Sequence, residues 1–370
     1  MTSSSKNNKF NIFKKIKQYL LLLIIKHKIN KINNEAKIFN KNNRTINIIK
    51  QNHKQNIILN KKYTYTIQPH EFYIQNNIDS ILDLSKTFFL NKNYIVYIGI
   101  EIEFYLPHII TKTEELYNKI YNFSTKQNIN IYDIERERGQ NQFEIKFKPY
   151  SDVNKLINDF NNIKQFLINE FNAIFNDMPF KNDSGSALQI NISIADKTTN
   201  KNLFSRNKDK TQESKLLLNS VAGLLQTTNL FLPFYLSKNK NTTRLEELTN
   251  KILYSNGKIP APTYISWGIN NRTCAIRIPI PKNIYNEDNY FTDDDKNRRI
   301  EFRVPSADSD IKYLIYCILN SIAFGITNNL IPIDSTYNNV LLNHENYEKI
   351  ELKKYLFEEY YRVLKVLFNF

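Results

Sequence analysis

Residues Ile98–Leu106 read Ile-Gly-Ile-Glu-Ile-Glu-Phe-Tyr-Leu, and this stretch decides how the rest of the chain is interpreted. Alternate residues of a β-strand face opposite sides of a sheet. Glu101 and Glu103 therefore share one face, while the isoleucines that alternate with them share the other. Neighbouring carboxylates repel each other and resist burial. Two interpretations follow: a strand whose acidic face is solvated, or a strand whose carboxylates hold a cation.

The basic character of the chain lies in its N-terminal region. The net charge is +15, and residues 1–62 carry 14 Lys and one Arg against a single acid, Glu35. The remaining residues carry 36 basic and 35 acidic side chains, so the body of the chain is nearly neutral. A basic tail is typical of contact with nucleic acid or with an anionic membrane. The alternative is that its Asn, Lys and Ile bias reflects the base composition of the gene.

Neither a membrane span nor a disulfide framework is predicted. The apolar run Tyr19–Ile25 is far shorter than the ~20 residues of a transmembrane helix. It resembles a short signal segment, but no small-residue cleavage site follows it. The two cysteines, Cys274 and Cys317, form no disulfide or zinc-binding pattern. These features favour a cytoplasmic location.

Later segments repeat the alternation of apolar side chains with charged or amide side chains. Two of them place polar residues on one strand face, and these residues are Gln189, Asn191 and Ser193, then Arg299, Glu301 and Arg303. A third segment, Ile134–Phe147, contains Glu137 and Glu144 at an odd spacing that one regular strand would put on opposite faces. Gly139 offers a turn or bulge that brings both carboxylates to the same side.

Helical periodicity separates these strands. Apolar residues recur at helical spacing over Val153–Phe175, Glu213–Phe234, Tyr313–Phe324 and Ile350–Phe368. The order of elements predicts an α+β fold: a curved antiparallel β-sheet in a half-barrel, lined with carboxylates and arginines, with the helices outside. In such a cavity the acids would hold divalent ions and the arginines would hold phosphates.

Five motifs, in this order along the chain, resemble the catalytic domain of the glutamine synthetase family. They are Gly99–Phe104, Glu137–Glu144, Ser184–Ser193, Trp267–Pro279 and Arg299–Arg303. The resemblance covers roughly residues 77–335 and implies a catalytic domain over residues 76–370. Residues 1–75 are expected to be a basic, partly disordered region without a clear β-grasp domain. Because the family's β-grasp domain contributes to the neighbouring active site in a hexameric ring, we expect that ring to be altered or absent, with a homo-oligomer as the expected assembly.

The resemblance implies a chemistry. The family couples ATP hydrolysis to joining ammonia, or a larger amine, to the γ-carboxylate of glutamate through γ-glutamyl phosphate. The expected cofactors are therefore ATP and Mg²⁺ or Mn²⁺, and the expected partners are glutamate and the amine. The alternative is a degenerate homologue that binds nucleotide or glutamate without turnover.

The same resemblance assigns roles to individual residues. It implies one metal set and then a second, which are Glu103, Glu137 and Glu144, and Glu101, Gln189 and Glu301. It implies contacts to the nucleotide by Arg272, Arg277, Arg299 and Ser193, and a backbone contact to glutamate by Gly185. It places Arg244 and Arg303 on glutamate and the acyl phosphate, so the expected catalytic arginines are Arg244, Arg272 and Arg303.

The chain departs from the family pattern at two places. Gln189 and Asn191 stand where the family strand carries two histidines. A glutamine carbonyl can ligate Mg²⁺, and the alternative is that Gln189 is hydrogen-bonded to a neighbour. In the loop before Ala261–Pro262, Ile259 precedes the pair where the family often has a glutamate that helps to deprotonate ammonium. Members that act on larger amines also lack that glutamate, which leaves the identity of the amine open.

Overall fold

The computed structural model describes residues 79, 82, 83, 85–107, 113–181, 183–206, 212–236, 243–280 and 294–352, all in the unit Asn77–Phe368. The expectations for the basic N-terminal region and for nearly all of the last helix lie outside the described residues. Within the described residues, no helix combines the length and the apolar character that a membrane span requires.

Seven strands form one sheet. In chain order they are β1 (Tyr94–Tyr105), β2 (Ile131–Arg136), β3 (Gln142–Phe147), β4 (Leu188–Asp196), β5 (Trp267–Ile269), β6 (Ile276–Ile278) and β7 (Ile300–Phe302). Their order across the sheet is β2-β3-β1-β4-β7-β6-β5.

The predicted α+β fold is confirmed, and the sheet is mostly antiparallel. The exception is the edge pair β5–β6, which is parallel with Trp267 opposite Ile276. Residues 270–275 bring the chain back to the start of β5 before β6 begins, so the two strands run in the same direction.

The alternation predicted for the central strands is confirmed. On β1, Ile98 and Ile100 have no solvent exposure, and Ile190 and Ile192 on the adjacent strand β4 have none either. The register pairs Ile100 with Ile190, so the apolar residues of the two strands share one face. The charged and amide side chains are thereby directed to the other face.

The described helices include α1 (Thr113–Lys126), α2 (Val153–Phe171), α3 (Lys215–Tyr235), α4 (Glu247–Ser255) and α5 (Ile311–Thr327). Helices α2 and α3 contact the apolar face of the sheet. The ring of Phe160 on α2 lies 6.2 Å from that of Phe147 on β3, and Tyr235 on α3 lies 5.1 Å from Phe302 on β7. Helix α2 ends earlier than predicted because Asn172 adopts a left-handed conformation, with φ 51°.

Helices α3 and α5 pack against each other at two glycines. A Cβ on Gly223 would overlap the Ser321 carbonyl oxygen, and a Cβ on Gly325 would overlap the Asn219 carbonyl oxygen. The hydroxyl oxygens of Thr227 and Ser321 lie 2.6 Å apart at the same crossing. The glycines therefore permit a close backbone approach.

Candidate active site

Strand pairing places three carboxylates in one row. Glu135 on β2 is opposite Glu144 on β3, and Glu144 is opposite Glu103 on β1. Glu144 is 2% exposed and Glu103 is 9% exposed, so water screens these two carboxylates little, whereas the Glu135 side chain is partly exposed. The interpretation of a solvated acidic face is therefore wrong at Glu103. Like charges directly opposite each other destabilise a sheet, which makes the row a candidate cation site.

Glu137 joins this row from the turn that follows β2. Its backbone N–H donates to the Gln142 carbonyl oxygen at 2.9 Å, which closes the β2–β3 hairpin. Carboxylate oxygens of Glu135, Glu137 and Glu144 lie within 4.8 Å of one another. The predicted proximity of Glu137 and Glu144 is confirmed. Glu135 was missed, although its alternation with Glu137 in the sequence is the same signal as that of the β1 glutamates.

Gly139 has a different role from the one expected. Asn141, and not Gly139, adopts the left-handed conformation of this turn, with φ 64°. A Cβ on Gly139 would overlap the hydroxyl of Tyr105. That hydroxyl donates to the Ser184 carbonyl oxygen at 2.8 Å. Gly139 therefore lets the hairpin turn pack on β1 and on the turn before β4.

Lys146 is a cation of the site that sequence reasoning also missed. It follows Glu144 on the same face of β3, pairs with Glu135, and lies 3.1 Å from Glu144 Oε2. Although burial acts in the opposite direction, Glu144 and Glu135 raise the pKa of Lys146 above its usual value. The signal for Lys146 was the strand period itself, because residues 142, 144 and 146 share a face.

Burial and like charge raise the pKa values of the carboxylates in and beside this row. Burial first, and then the charge of Glu137, raise the pKa of Glu103 to about 7. Burial also raises the pKa of Glu137, and burial together with Glu101 and Glu103 raises that of Glu144. Because these pKa values are raised by burial and by like charge, a hard divalent cation with oxygen ligands fits the row.

The β7 side of the site has the opposite charge balance. Arg303 Nη1 donates to Glu301 Oε1 at 2.6 Å, and Arg277 Nη1 donates to Glu301 Oε2 at 2.7 Å. Although burial opposes it, the charges of Arg303 and Arg277 lower the pKa of Glu301. The Glu301 carboxylate is thus compensated by the chain itself.

Gln189 connects the two sides. Its Oε1 accepts a hydrogen bond from Arg303 Nη1 at 2.8 Å, and its Nε2 donates to Glu103 Oε1 at 3.0 Å. This is the arrangement foreseen by the alternative in which Gln189 is hydrogen-bonded to its neighbours. Of the second predicted metal set, Gln189 and Glu301 have their side-chain oxygens engaged by arginine. Glu101, the third member, lines the cavity, and the assignment of this set to a divalent ion stays a prediction.

The polar face encloses a cavity of about 110 Å³. Its lining includes nine of the predicted site residues, which are Glu101, Glu103, Glu137, Glu144, Gly185, Gln189, Arg244, Arg272 and Arg303. Four others lie outside the lining, which are Ser193, Arg277, Arg299 and Glu301. Arg277 and Glu301 connect to the cavity through Arg303, and Arg299 Nε donates to Asn191 Oδ1 at 2.9 Å.

Arg244 enters the cavity over a glycine. A Cβ on Gly185 would collide with the Arg244 side chain, so the glycine allows the arginine to lie against the turn before β4. Arg244 Nη2 donates to the carbonyl oxygens of Val304 and Pro305. Burial lowers the pKa of Arg244 to about 10. Its Nε is buried and has no acceptor among the described residues, which suits an anionic substrate group.

Helix α4 and the segment after it supply most of the apolar lining, which is Leu253, Ile259, Ala261 and Pro262. Asn250 fixes this segment to Arg244. Its Oδ1 accepts from the Ala261 N–H at 2.7 Å, and its Nδ2 donates to the Arg244 carbonyl oxygen at 2.8 Å. Lys258 pairs with Asp183 on the opposite turn. Charged and apolar surfaces therefore meet in one cavity.

Known proteins match this chain. Residues 101–358 match the family described as glutamine synthetase, catalytic domain. The chain is 26% identical to the glutamine synthetase of Clostridium saccharobutylicum over 200 residues, which is 52% of this chain and 39% of that protein. It is 27% identical to the gamma-glutamylputrescine synthetase PuuA of Escherichia coli over 199 residues, which is 52% of this chain and 37% of that protein. The chain thus spans less than half the length of these curated relatives.

Solved structures show the same fold. A structure described as a novel glutamine synthase homolog matches with a TM-score of 0.58 and 14% identity, over 79% of this chain and 65% of that chain. The Plasmodium falciparum glutamine synthetase matches with a TM-score of 0.55 and 18% identity, over 71% and 58% respectively.

Proposed function

This chain belongs to the glutamine synthetase catalytic-domain family, and on that premise we propose that it is an ATP-dependent ligase acting on glutamate. The proposed reaction joins ammonia or a larger amine to the γ-carboxylate. The observation that carries the proposal is one cavity lined by the carboxylates of β1 and β3 together with Arg244, Arg272 and Arg303. ATP and glutamate are both anionic, and arginines bind phosphate and carboxylate through paired hydrogen bonds.

In this proposal, Glu103, Glu137 and Glu144 hold Mg²⁺ or Mn²⁺, and Glu135 adds a fourth carboxylate. Such an ion would neutralise the phosphate charge during phosphoryl transfer. Lys146 pairs with Glu135 and Glu144 and so offsets part of the repulsion within the row. Glu103 is further held by the Ala187 N–H, which donates to its Oε2 at 2.8 Å.

The arginines orient the two substrates. Arg244 and Arg303 bind glutamate and the acyl phosphate, and Gly185 presents its backbone to glutamate. The nucleotide contacts proposed from the resemblance are Arg272, Arg277, Arg299 and Ser193. The γ-phosphoryl group of ATP passes to a γ-carboxylate oxygen of glutamate, which gives ADP and γ-glutamyl phosphate. The amine then attacks the acyl carbon of γ-glutamyl phosphate, phosphate leaves with the electrons of the C–O bond, and the nitrogen releases a proton to solvent.

The test is phosphate release from ATP by the full chain, with and without glutamate, and with ammonia compared against alkylamines and polyamines. We expect release to require both glutamate and an amine, and Arg244→Met to abolish it. Arg298→Met is the matched control, because Arg298 is also buried and ion-paired but contacts Glu213 outside the cavity. Phosphate release that is the same with and without glutamate would contradict the proposed ligase activity.

The second candidate is a homologue that binds nucleotide or glutamate without turnover. It is favoured by the hydrogen bonds that engage Gln189, which stands where the family strand carries a histidine. Calorimetry with ATP and glutamate separates the two candidates, since saturable binding without phosphate release supports this one. Homo-oligomerisation, a cytoplasmic location and a nucleic-acid or membrane contact by the basic tail stay predictions.

A further inference from the structure

Lys146 lines the cavity, and the ligase mechanism described above gives it no contact with a substrate. It lies on β3 on the same face as Glu144, pairs with Glu135, and places its Nζ 3.1 Å from Glu144 Oε2. The Lys146 side chain is 23% exposed, so it can be reached from the cavity. A positive charge is thus held at the floor of a site that binds anionic substrates in the proposed function.

The contacts of Lys146 leave it able to bind an anion. A lysine ammonium group has three N–H donors. Its partners among the described residues are the carboxylates of Glu135 and Glu144. At least one donor therefore remains for an oxygen of another group. Glu101 lies opposite Lys146 in the β1–β3 pairing, and Glu101 Oε1 accepts from Asn191 Nδ2 at 2.8 Å.

A divalent ion on the neighbouring carboxylates would make this donor more available. A carboxylate oxygen that accepts one hydrogen bond keeps a second lone pair, so an ion and Lys146 can share Glu144. The ion and the ammonium group nevertheless repel each other, because both are positive. The ion also takes up part of the negative charge that holds Lys146 in the empty site. An anion that arrives with the ion would then attract the ammonium group.

The position of Lys146 along the strands favours the nucleotide over glutamate as this anion. Lys146 is level with Glu101, one step beyond the carboxylate row. Gly185, the proposed backbone contact to glutamate, comes before β4 and lies beyond the opposite side of that row. Arg299, a proposed nucleotide contact, donates to Asn191 on the same side as Lys146. The phosphates of the nucleotide are therefore the anion nearest to Lys146.

We propose that Lys146 binds a phosphate oxygen of the nucleotide and is a further substrate-binding residue of this cavity. Without nucleotide, the same ammonium group is the counter-ion of Glu135 and Glu144. The proposal rests on the proposed ligase function only in taking ATP as the substrate that carries the phosphates. It implies two opposite effects of removing the charge: tighter binding of a divalent ion to the empty site, and weaker binding of the nucleotide.

The experiment measures two dissociation constants of the full chain for the wild type and Lys146→Met. The first is that of Mn²⁺ without nucleotide, with the free ion read by electron paramagnetic resonance. The second is that of an ATP analogue with a methylene group between the β- and γ-phosphorus atoms, measured by calorimetry at saturating Mn²⁺.

We expect Lys146→Met to bind Mn²⁺ about tenfold more tightly, because a like charge beside the ion is removed. It should bind the analogue about 10- to 100-fold more weakly, because a hydrogen bond between two charged groups is lost. Lys155→Met is the matched control and should leave both constants unchanged. Lys155 is also partly exposed and pairs with a buried carboxylate, that of Asp159, but it lies on α2 outside the cavity lining.

Equal affinity of wild type and folded Lys146→Met for the analogue would overturn the proposal. Weaker binding of both Mn²⁺ and the analogue would overturn it as well, because that pattern indicates damage to the carboxylate row. If circular dichroism shows that Lys146→Met does not fold, Lys146→Gln replaces it with the same expectations, because its amide still donates to Glu135 and Glu144 without a charge.

Neither dissociation constant depends on turnover. A wild type that binds Mn²⁺ and the analogue but releases no phosphate from ATP rejects the ligase, and the comparison with Lys146→Met still decides the role of Lys146. A wild type that does not bind the analogue overturns both proposals.

Discussion

Glu103 is the residue at which the two halves of the site meet. Its carboxylate accepts from the Ala187 N–H at 2.8 Å and from Gln189 Nε2 at 3.0 Å, and it stands opposite Glu144 in the sheet. Burial and then the charge of Glu137 raise its pKa from 4.5 to about 7. An acid whose pKa is higher in the folded state opposes folding once it ionises. The loss of unfolding free energy that Glu103 causes is therefore absent below pH 4.5 and complete above pH 7.

Glu103→Gln should therefore flatten the pH dependence of stability of the metal-free chain. Between pH 5 and pH 8 the wild type should lose about 1–3 kcal/mol of unfolding free energy more than the variant does. Urea unfolding in the presence of a chelator measures this difference. Glu115→Gln is the control, because Glu115 is exposed on α1 and pairs loosely with Lys119. Identical pH slopes for wild type and Glu103→Gln would contradict the prediction.

The crossing of α3 and α5 leaves no room for a larger side chain at its two glycines. Gly325→Ala should destabilise the protein by about 1–3 kcal/mol, because the new methyl group would overlap the Asn219 carbonyl oxygen. Urea unfolding of the variant and the wild type measures this loss of stability. Thr327→Ala, an exposed position on the same helix, should change stability by less than about 0.5 kcal/mol. If the two variants unfold alike, the helices can separate without cost.

The side-chain amide of Asn250 connects helix α4 to the segment that follows it. Asn250 has no solvent exposure, and its side chain joins the Ala261 N–H to the Arg244 carbonyl oxygen. Asn250→Ala should cost about 1–3 kcal/mol by leaving buried backbone groups unpaired. It should also speed limited proteolysis within residues 256–262. Asn256→Ala, an exposed asparagine at the end of α4, is the control and should leave the cleavage rate unchanged.

At the scale of the whole molecule, a bound divalent ion should stabilise the fold, because the clustered carboxylates exist only when β1, β2 and β3 are paired. With Mn²⁺ at a hundred times its dissociation constant, the gain is about 2.7 kcal/mol. For a unit the size of Asn77–Phe368 that corresponds to about 4 °C in Tm.

Differential scanning fluorimetry with Mn²⁺, Mg²⁺ and a chelator measures this shift. Glu144→Gln removes a carboxylate from the centre of the row and should lose most of it. A Tm that is equal in all three conditions would remove the metal site from this molecule, and with it the proposed ligase mechanism.

Much of this architecture could be predicted from the sequence, because the face of the sheet that a side chain takes depends only on whether its position along the strand is odd or even. The alternation in β1 and β4 predicted which residues are buried, and the order of five motifs predicted the family and the α+β fold. The same alternation placed Glu103 and Glu144 on the polar faces of β1 and β3. Helix ends were less accessible, since the end of α2 depends on the left-handed conformation of Asn172.

Only the tertiary structure decided which charges meet. The register of the β2–β3 hairpin brings Glu135 and Lys146 into the acidic row. Pairing between strands far apart in the chain sets Glu103 opposite Glu144 and Arg303 against Gln189. The sequence alone determined that the carboxylates and arginines of the strands would lie opposite the apolar faces, because that follows from period two along each strand. The partner of each charge depends on strand order and burial across the sheet. Those are non-local properties that no single strand encodes.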